Sequence, residues 1–429
     1  MTAVDQPSLP AWLSRRWHDR AARSATADIL AMLVAASLPW STSLTAIAAT
    51  AFLASMAPLL DVRAFVQSLK RPIGALPIAL FALAAAGTLW SNVAWSERLY
   101  AVGPAAKFLM LPVLLYHFER SARGIQVLIA FLLSCALLLA MSWIVALDPR
   151  LALKPDAEYG VPVRSYIDQS QEFALCAVVL AYPVIILLRA QRIRLAALLA
   201  AISLGFVVNM AFVSVSRTAL VTVPIMLAMF ALLHLKRRSI VIVACAAAVL
   251  AGLAWATSPQ LRRTAETFSR DYQIYKERNI ATSLGLRLVF WQKSLRFISE
   301  APLIGHGTGT IRALFEEAAV GQFGAAAEVV ANPHNQTLNV GIQWGAAGIA
   351  VLYAMWLVHL MLFRGEGFAS WTGLTVVVQN IFTSLFNSHL FDFNEGWIYV
   401  LGVGIAGGMV LRKRSLRKPA TPTPGSVEP

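Results

Sequence analysis

Long apolar runs, separated by short gaps that hold most of the basic residues, extend along almost the whole chain. Only 14% of the residues are charged, against roughly 25% in soluble domains, so a large soluble enzyme is excluded. Because a helix needs about 20 apolar residues to cross a bilayer, the runs predict an all-α polytopic membrane protein. We predict twelve spans, at residues 28–40, 42–60, 72–90, 100–117, 124–147, 171–188, 195–213, 218–235, 239–256, 338–363, 369–391 and 396–411.

The first two spans leave an alternative open. Residues 28–60 could form one long helix and a re-entrant piece, although Pro39-Trp40-Ser41-Thr42-Ser43 is typical of a tight turn between two short helices. The start of the chain lacks the order of regions found in a signal peptide, which favours a cytoplasmic tail.

The basic residues predict the orientation of these helices. Cytoplasmic gaps of membrane proteins are enriched in lysine and arginine. Twelve spans with both termini in the cytoplasm place the basic clusters inside and leave few basic residues in the short outer loops. We therefore predict one integral membrane domain over residues 1–429, with cytoplasmic tails at 1–27 and 412–429 and a long outer segment at 257–337 between the ninth and tenth spans.

Composition and spacing argue against several other functions. The net charge of +14 does not indicate a nucleic-acid surface, because the basic residues are divided among the gaps. Cys135, Cys176 and Cys245 all lie in apolar segments, so no disulfide framework is implied. No cluster with metal-ligand spacing and no phosphate-binding glycine loop is found in the sequence. We expect neither a metal nor a cofactor.

The long outer segment has helical patterning of its own. An amphipathic stretch contains Leu261, Phe268, Tyr272 and Tyr275. A second helix follows, with an N-cap near Thr282 or Ser283. The pattern predicts a structured helical cap on the outer leaflet.

A histidine stands where this segment re-enters the membrane. Asn332-Pro333-His334-Asn335 predicts a turn, and the nearby Gly345-Ala346-Ala347-Gly348 predicts close helix packing. An interfacial histidine commonly does no more than bond a neighbouring carbonyl, but its pKa of about 6.5 also suits it to accept a proton. We predict His334 as a general base with Asn335 in a supporting role; His306, between glycines, is the alternative base.

Two arginines are candidates for binding an anion. Arg217 follows Ser216 in a very short outer connection, where a basic residue is disfavoured unless it has a function. Arg287 lies on the second helix of the long segment. Either arginine could instead be an interfacial side chain that contacts lipid head groups. Together they would suit a lipid-linked phosphate or pyrophosphate, because guanidinium groups bind phosphate oxygens bidentately.

Other polar residues near the outer face have less certain roles. Asp392, at the end of the eleventh span, could cap the last helix, orient the histidine or position an acceptor hydroxyl. Asp168 and Glu172 flank the start of the sixth span, where capping is favoured. Lys107 is an isolated intramembrane lysine, for which a packing or snorkelling role is expected.

The ensemble resembles the O-antigen ligases, in the superfamily that includes the O-antigen polymerases. The likeness rests on His334-Asn335 followed after nine residues by Gly-x-x-Gly, on Ser216-Arg217, on Arg287 before a Pro-x-x-Gly-x-Gly-x-Gly turn at 302–309, and on Asp392. It extends over roughly residues 160–400.

The resemblance implies a metal-independent inverting glycosyltransferase of the bacterial inner membrane with a periplasmic active site. It would transfer O-antigen polysaccharide from undecaprenyl pyrophosphate to lipid A–core oligosaccharide. Arg217 and Arg287 would hold the pyrophosphate, His334 would deprotonate the acceptor hydroxyl, and Asp392 and Asn335 would support them.

Three alternatives remain at this stage. An O-antigen polymerase would use the same donor with a lipid-linked acceptor, and a protein O-oligosaccharyltransferase would glycosylate serine or threonine. A twelve-span transporter or flippase would need ionisable residues deep within its spans and repeat symmetry. The candidate residues instead gather at one predicted face, which favours an enzyme.

Overall fold

The computed structural model describes residues 19–155, 159–278 and 280–417, apart from the side chains of residues 268 and 269. Much of both predicted tails, and the side chain of Phe268, therefore lies outside the described part. The described residues form helices joined by turns and short 3-10 segments. The helices are α1 (Arg20–Ser37), α2 (Thr42–Met56), α3 (Val62–Leu69), α4 (Pro72–Ala86), α5 (Trp95–Ala106), α6 (Met110–Phe118), α7 (Gly124–Leu147), α8 (Tyr166–Arg189), α9 (Ile193–Phe212), α10 (Arg217–His234), α11 (Arg237–Thr257), α12 (Pro259–Arg278), α13 (Ser283–Glu300), α14 (Ile311–Ala319), α15 (Gln336–Leu362), α16 (Phe368–Thr383) and α17 (Phe393–Arg417).

Eight of the described helices are long and apolar enough to cross a membrane, when α5 and α6 are counted as one. A ninth is reached if α3 and α4, which meet at 85°, form one broken span. The polytopic all-helical membrane fold is thus confirmed. Each of the twelve predicted segments contains a helix, but α2, α4 and α16 are 15, 15 and 16 residues long. The count of twelve spans stays a prediction.

The N-terminal region forms two helices, α1 and α2, joined by a turn. Ser41 ends the turn after α1 and caps α2, because its hydroxyl accepts a hydrogen bond from the Leu44 N–H at 3.2 Å. Trp40, within the turn, donates from its indole to Ser134 of α7 at 2.8 Å. The turn is therefore held to the bundle by its own side chain.

The last helix lies at the centre of the bundle. In the most apolar 18-residue stretch of α17, 89% of the residues are buried inside the protein. Glycines allow its backbone to approach α6, since a Cβ at Gly404 would lie 2.6 Å from that of Leu114 and one at Gly408 would lie 2.6 Å from that of Phe118. By contrast, α11 has no buried residue and lies at the edge of the bundle.

The glycine-rich turn at 302–309 inserts into a break in α15. At Gly345, with φ 57° and ψ −151°, the helix is interrupted. The backbone N–H groups of His306 and Gly307 bond the carbonyls of Ile342 and Gln343, each at 2.9 Å. A Cβ at Gly345 would lie 2.5 Å from the Leu303 carbonyl carbon. Gly345 thus admits the turn rather than a neighbouring helix, which corrects the packing role that we expected.

Candidate functional site

His334 stands in a strained turn that its neighbours fix. Its φ is +54°, in the left-handed region that few residues other than glycine adopt. The Asn332 side-chain oxygen accepts the His334 backbone N–H at 2.9 Å. Asn335 then caps α15 by accepting from the Leu338 N–H at 3.1 Å. The predicted turn is present, and Asn335 supports the histidine by starting the helix behind it.

A chain of three side chains determines which ring nitrogen of His334 is free. Asn387 donates from its amide nitrogen to a carboxylate oxygen of Asp392 at 2.6 Å. This bond directs the Asn387 amide oxygen toward His334 Nδ1, 2.9 Å away, so Nδ1 carries the proton and donates. The other ring nitrogen, Nε2, is then unprotonated in the neutral ring. Asp392 thus acts on His334 through Asn387, without touching it.

The surroundings of His334 keep its ring neutral. Burial lowers the pKa of His334 below its ordinary value of 6.5, and the positive charge of Arg287 lowers it further. The hydrogen bond that His334 donates to Asn387 acts in the opposite direction and raises the pKa. The Phe290 ring stacks on the imidazole with 6.2 Å between centroids. A neutral imidazole with a free Nε2 is the form of histidine that can accept a proton.

Both candidate arginines belong to the same electrostatic environment as the histidine. Arg287 and Phe290 are about one turn apart on α13, so the arginine lies one turn before the ring that packs on His334. Burial lowers the pKa of Arg287, and the charge of Arg217 lowers it further. Arg217, the first residue of α10, forms an ion pair with Asp271 of α12 at 3.2 Å. Two like charges held together in part-buried positions are suited to a shared anion.

The match to a known family covers most of these residues. Residues 204–353 match the family model described as O-antigen ligase. The resemblance to O-antigen ligases is confirmed. The matched stretch includes Arg217, Arg287 and His334, and it ends before Asn387 and Asp392. No curated protein matches the chain.

Two other candidates, His306 and Lys107, bond to backbone carbonyls. The Nε2 of His306 lies 2.8 Å from the Phe297 carbonyl, so this ring anchors the glycine-rich turn. Lys107 donates from its ammonium group to the backbone carbonyls of Phe391 and Asp392. The expectation that Lys107 is isolated is therefore wrong. Its ammonium group holds the segment that carries Asp392.

At the start of α8, the two predicted capping acids have different roles. Ser165 supplies the cap, accepting from the Asp168 N–H at 3.2 Å. Asp168 pairs with Arg164 at 3.3 Å. Glu172 is buried and accepts from the side chain of Asn394 at 2.8 Å, so it joins α8 to α17 instead of capping.

Sequence reasoning missed Asn387 and a cluster of three ionisable side chains, His389, Asp392 and Glu395. The predicted span 369–391 ends as a helix at Thr383, and the turn that follows carries Asn387 and His389. His389 Nδ1 lies 3.2 Å from Asp392 and 3.7 Å from Glu395. These three residues could hold a metal ion by distance, but a protonated imidazole between two carboxylates satisfies the same geometry. The spacing His-x-x-Asp-x-x-Glu could have indicated this cluster from the sequence, because residues three apart lie on the same side of a helix or helical turn.

A cavity of about 560 Å³ opens beside this site. One wall is formed by residues 96–104 of α5, and another is the end of the glycine-rich turn with the start of α14. The floor includes Asn332, Ser388 and Asp392. Ser388 and the His334 backbone N–H both donate to the Asn332 side-chain oxygen, so this floor is part of the structure that holds His334.

Proposed function

We propose that the protein is an O-antigen ligase that transfers polysaccharide from undecaprenyl pyrophosphate to lipid A–core oligosaccharide. Its site would face the periplasm, with the chain in the bacterial inner membrane and both termini in the cytoplasm. The observation that carries the proposal is the bond from His334 Nδ1 to Asn387, which leaves Nε2 available to accept a proton. The charge of Arg287 acts on His334, and the charge of Arg217 acts on Arg287. The family match supports activity on a lipid-linked polysaccharide, as a ligase or a polymerase.

The chemistry requires one base and one anion-binding group. The acceptor hydroxyl would give its proton to His334 Nε2 while its oxygen attacks the anomeric carbon of the donor. The bond from that carbon to the pyrophosphate oxygen breaks from the opposite face, which inverts the configuration. Arg217 and Arg287 would stabilise the departing undecaprenyl pyrophosphate, where negative charge develops in the transition state. The donor already contains its leaving group, so no nucleotide is needed.

The product of reconstituted protein tests the proposal. The purified chain is supplied with a fluorescent undecaprenyl-pyrophosphate glycan and rough lipopolysaccharide. A ligase shifts the label onto the lipid A–core. An O-antigen polymerase would instead lengthen the lipid-linked glycan, and a protein O-oligosaccharyltransferase would label an added protein acceptor. A protein that merely moves the donor between leaflets, as a flippase does, would form no new glycosidic bond and would contradict the proposal.

Metal removal gives the first prediction. We expect EDTA to leave the transfer rate unchanged, because the proposed steps need only His334 and the two arginines. The measurement is the initial rate before and after chelation and dialysis. Loss of the rate with recovery on adding one divalent ion would assign the cluster of His389, Asp392 and Glu395 to a metal and contradict the metal-free mechanism.

The pH dependence gives the second prediction. Only the neutral form of His334 can act as a base, and its pKa lies below 6.5. We therefore expect kcat/KM to be constant through neutral pH and to fall on the acid side with an apparent pKa below 6.5. In Arg287→Gln, the residual kcat/KM should begin to fall at a higher pH than in the unchanged protein. The reason is that the positive charge of Arg287, which lowers the pKa of His334, is absent. If kcat/KM falls at the same pH in Arg287→Gln as in the unchanged protein, the charge of Arg287 does not act on His334.

A further inference from the structure

We propose that the cavity beside Asp392 binds an uncharged sugar unit of the acceptor, separately from the donor pyrophosphate. This inference rests on the proposed function and deepens it by assigning the second substrate to a place. The cavity, of about 560 Å³, lies within the roughly 300–1,000 Å³ typical of small-molecule sites.

The walls have the chemistry that binds sugars. Tyr100, whose side chain is exposed, and Trp344 are among the residues that line the cavity, together with Asn339 and Gln343. Gln343 is preoriented, since its nitrogen donates to the Asn339 side-chain oxygen at 2.8 Å and its oxygen accepts from the Gly309 N–H at 2.9 Å. Such fixed amides beside aromatic surfaces can bond hydroxyl groups and pack on the apolar face of a sugar ring.

The charges distinguish this cavity from the anion site. Glu97 and Asp392 supply two carboxylates to its lining, whereas its basic residue, Arg312, pairs with Glu316 at 2.8 Å. Arg217 and Arg287 are not among the lining residues. Carboxylates repel a pyrophosphate and accept hydrogen bonds from hydroxyl groups. The donor's leaving group therefore fits the arginines, and an uncharged sugar fits the cavity.

Two residues that line the cavity are connected to the proposed base. Asn332 lines it and holds the His334 backbone, while Asp392 lines it and orients His334 through Asn387. The side chain of Asp392 is 33% exposed, so part of its carboxylate remains open to a ligand. A saccharide in the cavity would thus present its hydroxyl at the edge of the structure that fixes the histidine.

The test is saccharide binding to a variant with a filled cavity. Ala101 lines the cavity on α5, and Ala101→Trp would occupy part of it. Gly103→Trp is the matched control, because Gly103 is exposed, does not line the cavity, and a Cβ there would meet no atom within 4 Å. Purified full-length protein is titrated with deacylated core oligosaccharide or with a soluble O-antigen repeat unit, followed by saturation-transfer NMR.

We expect Ala101→Trp to weaken binding at least about tenfold, while Gly103→Trp binds like the unchanged protein. Preference for the core oligosaccharide supports a ligase acceptor, and preference for the repeat unit supports a polymerase acceptor in the same cavity. Equal affinity in all three proteins, or no binding to any of them, overturns the inference. Cavity-dependent binding without transfer would contradict the proposed function alone, and transfer with an acceptor KM unaffected by Ala101→Trp would contradict the cavity alone.

Discussion

Replacing His334 with alanine is expected to reduce ligation by about 10²–10⁴-fold, the contribution typical of a general base. The loss follows from removing Nε2, which the bond from Nδ1 to Asn387 leaves free to accept the acceptor's proton. Binding of the donor should change little, because the arginines remain. Initial rates at saturating donor and acceptor, with membrane insertion and detergent-extracted yield matched to the unchanged protein, measure the effect.

The other histidine of the long segment provides the control. In His306→Gln the side-chain amide can still donate to the Phe297 carbonyl that His306 contacts at 2.8 Å, so transfer should remain near normal. The reverse result, with His306→Gln inactive and His334→Ala active, would move the base to the glycine-rich turn. The transfer rate of Asn387→Leu should lie between those of His334→Ala and His306→Gln. This variant keeps the imidazole of His334 but loses the amide that fixes its tautomer.

Replacing Arg287 with alanine is expected to cost about 10²–10³-fold in kcat, as for other groups aimed at developing negative charge. Arg287 is part-buried and close enough to Arg217 for the two charges to interact. Arg287→Lys should recover part of the loss, since it keeps the charge but cannot bind two phosphate oxygens in parallel. Rates with undecaprenyl-pyrophosphate donor, and donor affinity from competition with undecaprenyl pyrophosphate, separate binding from catalysis.

Arg296, on the same helix, is the matched control for Arg287. It is 73% exposed and pairs with Glu300 in the next turn, so Arg296→Ala should transfer normally. We also expect Arg217→Ala to be inactive, but that change additionally breaks the ion pair with Asp271. Normal ligation by Arg287→Ala at equal expression would remove this arginine from the site.

Most helices could be predicted from the sequence, because apolar runs near the length of a bilayer have few other solutions. Helix ends were harder. The apolar stretch 369–391 does not show that α16 stops at Thr383, since that stop depends on tertiary bonds such as the one from the Gln336 N–H to the Ser384 carbonyl at 2.9 Å. The cap at Thr282 was predictable because it is local: its hydroxyl accepts from the Gly285 N–H.

Some residues of the candidate site could be predicted from the sequence and others could not. His334, Arg217 and Arg287 stood out because basic or titratable residues are conspicuous at a predicted membrane face. Asn387 could not be singled out, since an amide has no charge and its role arises only when two segments 53 residues apart meet. Likewise, no local pattern shows that Gly345 interrupts α15, because the turn that fills the break is distant in the chain.

The turn that fills this break joins parts of the chain that are synthesised far apart in time. Thr308 donates from its hydroxyl to the Ala84 carbonyl, across 224 residues, and Gly307 bonds the carbonyl of Gln343. The backbone N–H groups of His306 and Gly307 thus lack their partners, the carbonyls of Ile342 and Gln343, until α15 has been synthesised. Contacts of such separation form late and slowly. A ribosome-bound chain that ends before residue 343 would hold Arg217 and Arg287 without the wall that completes the site, so catalytic competence would arise only near the end of translation.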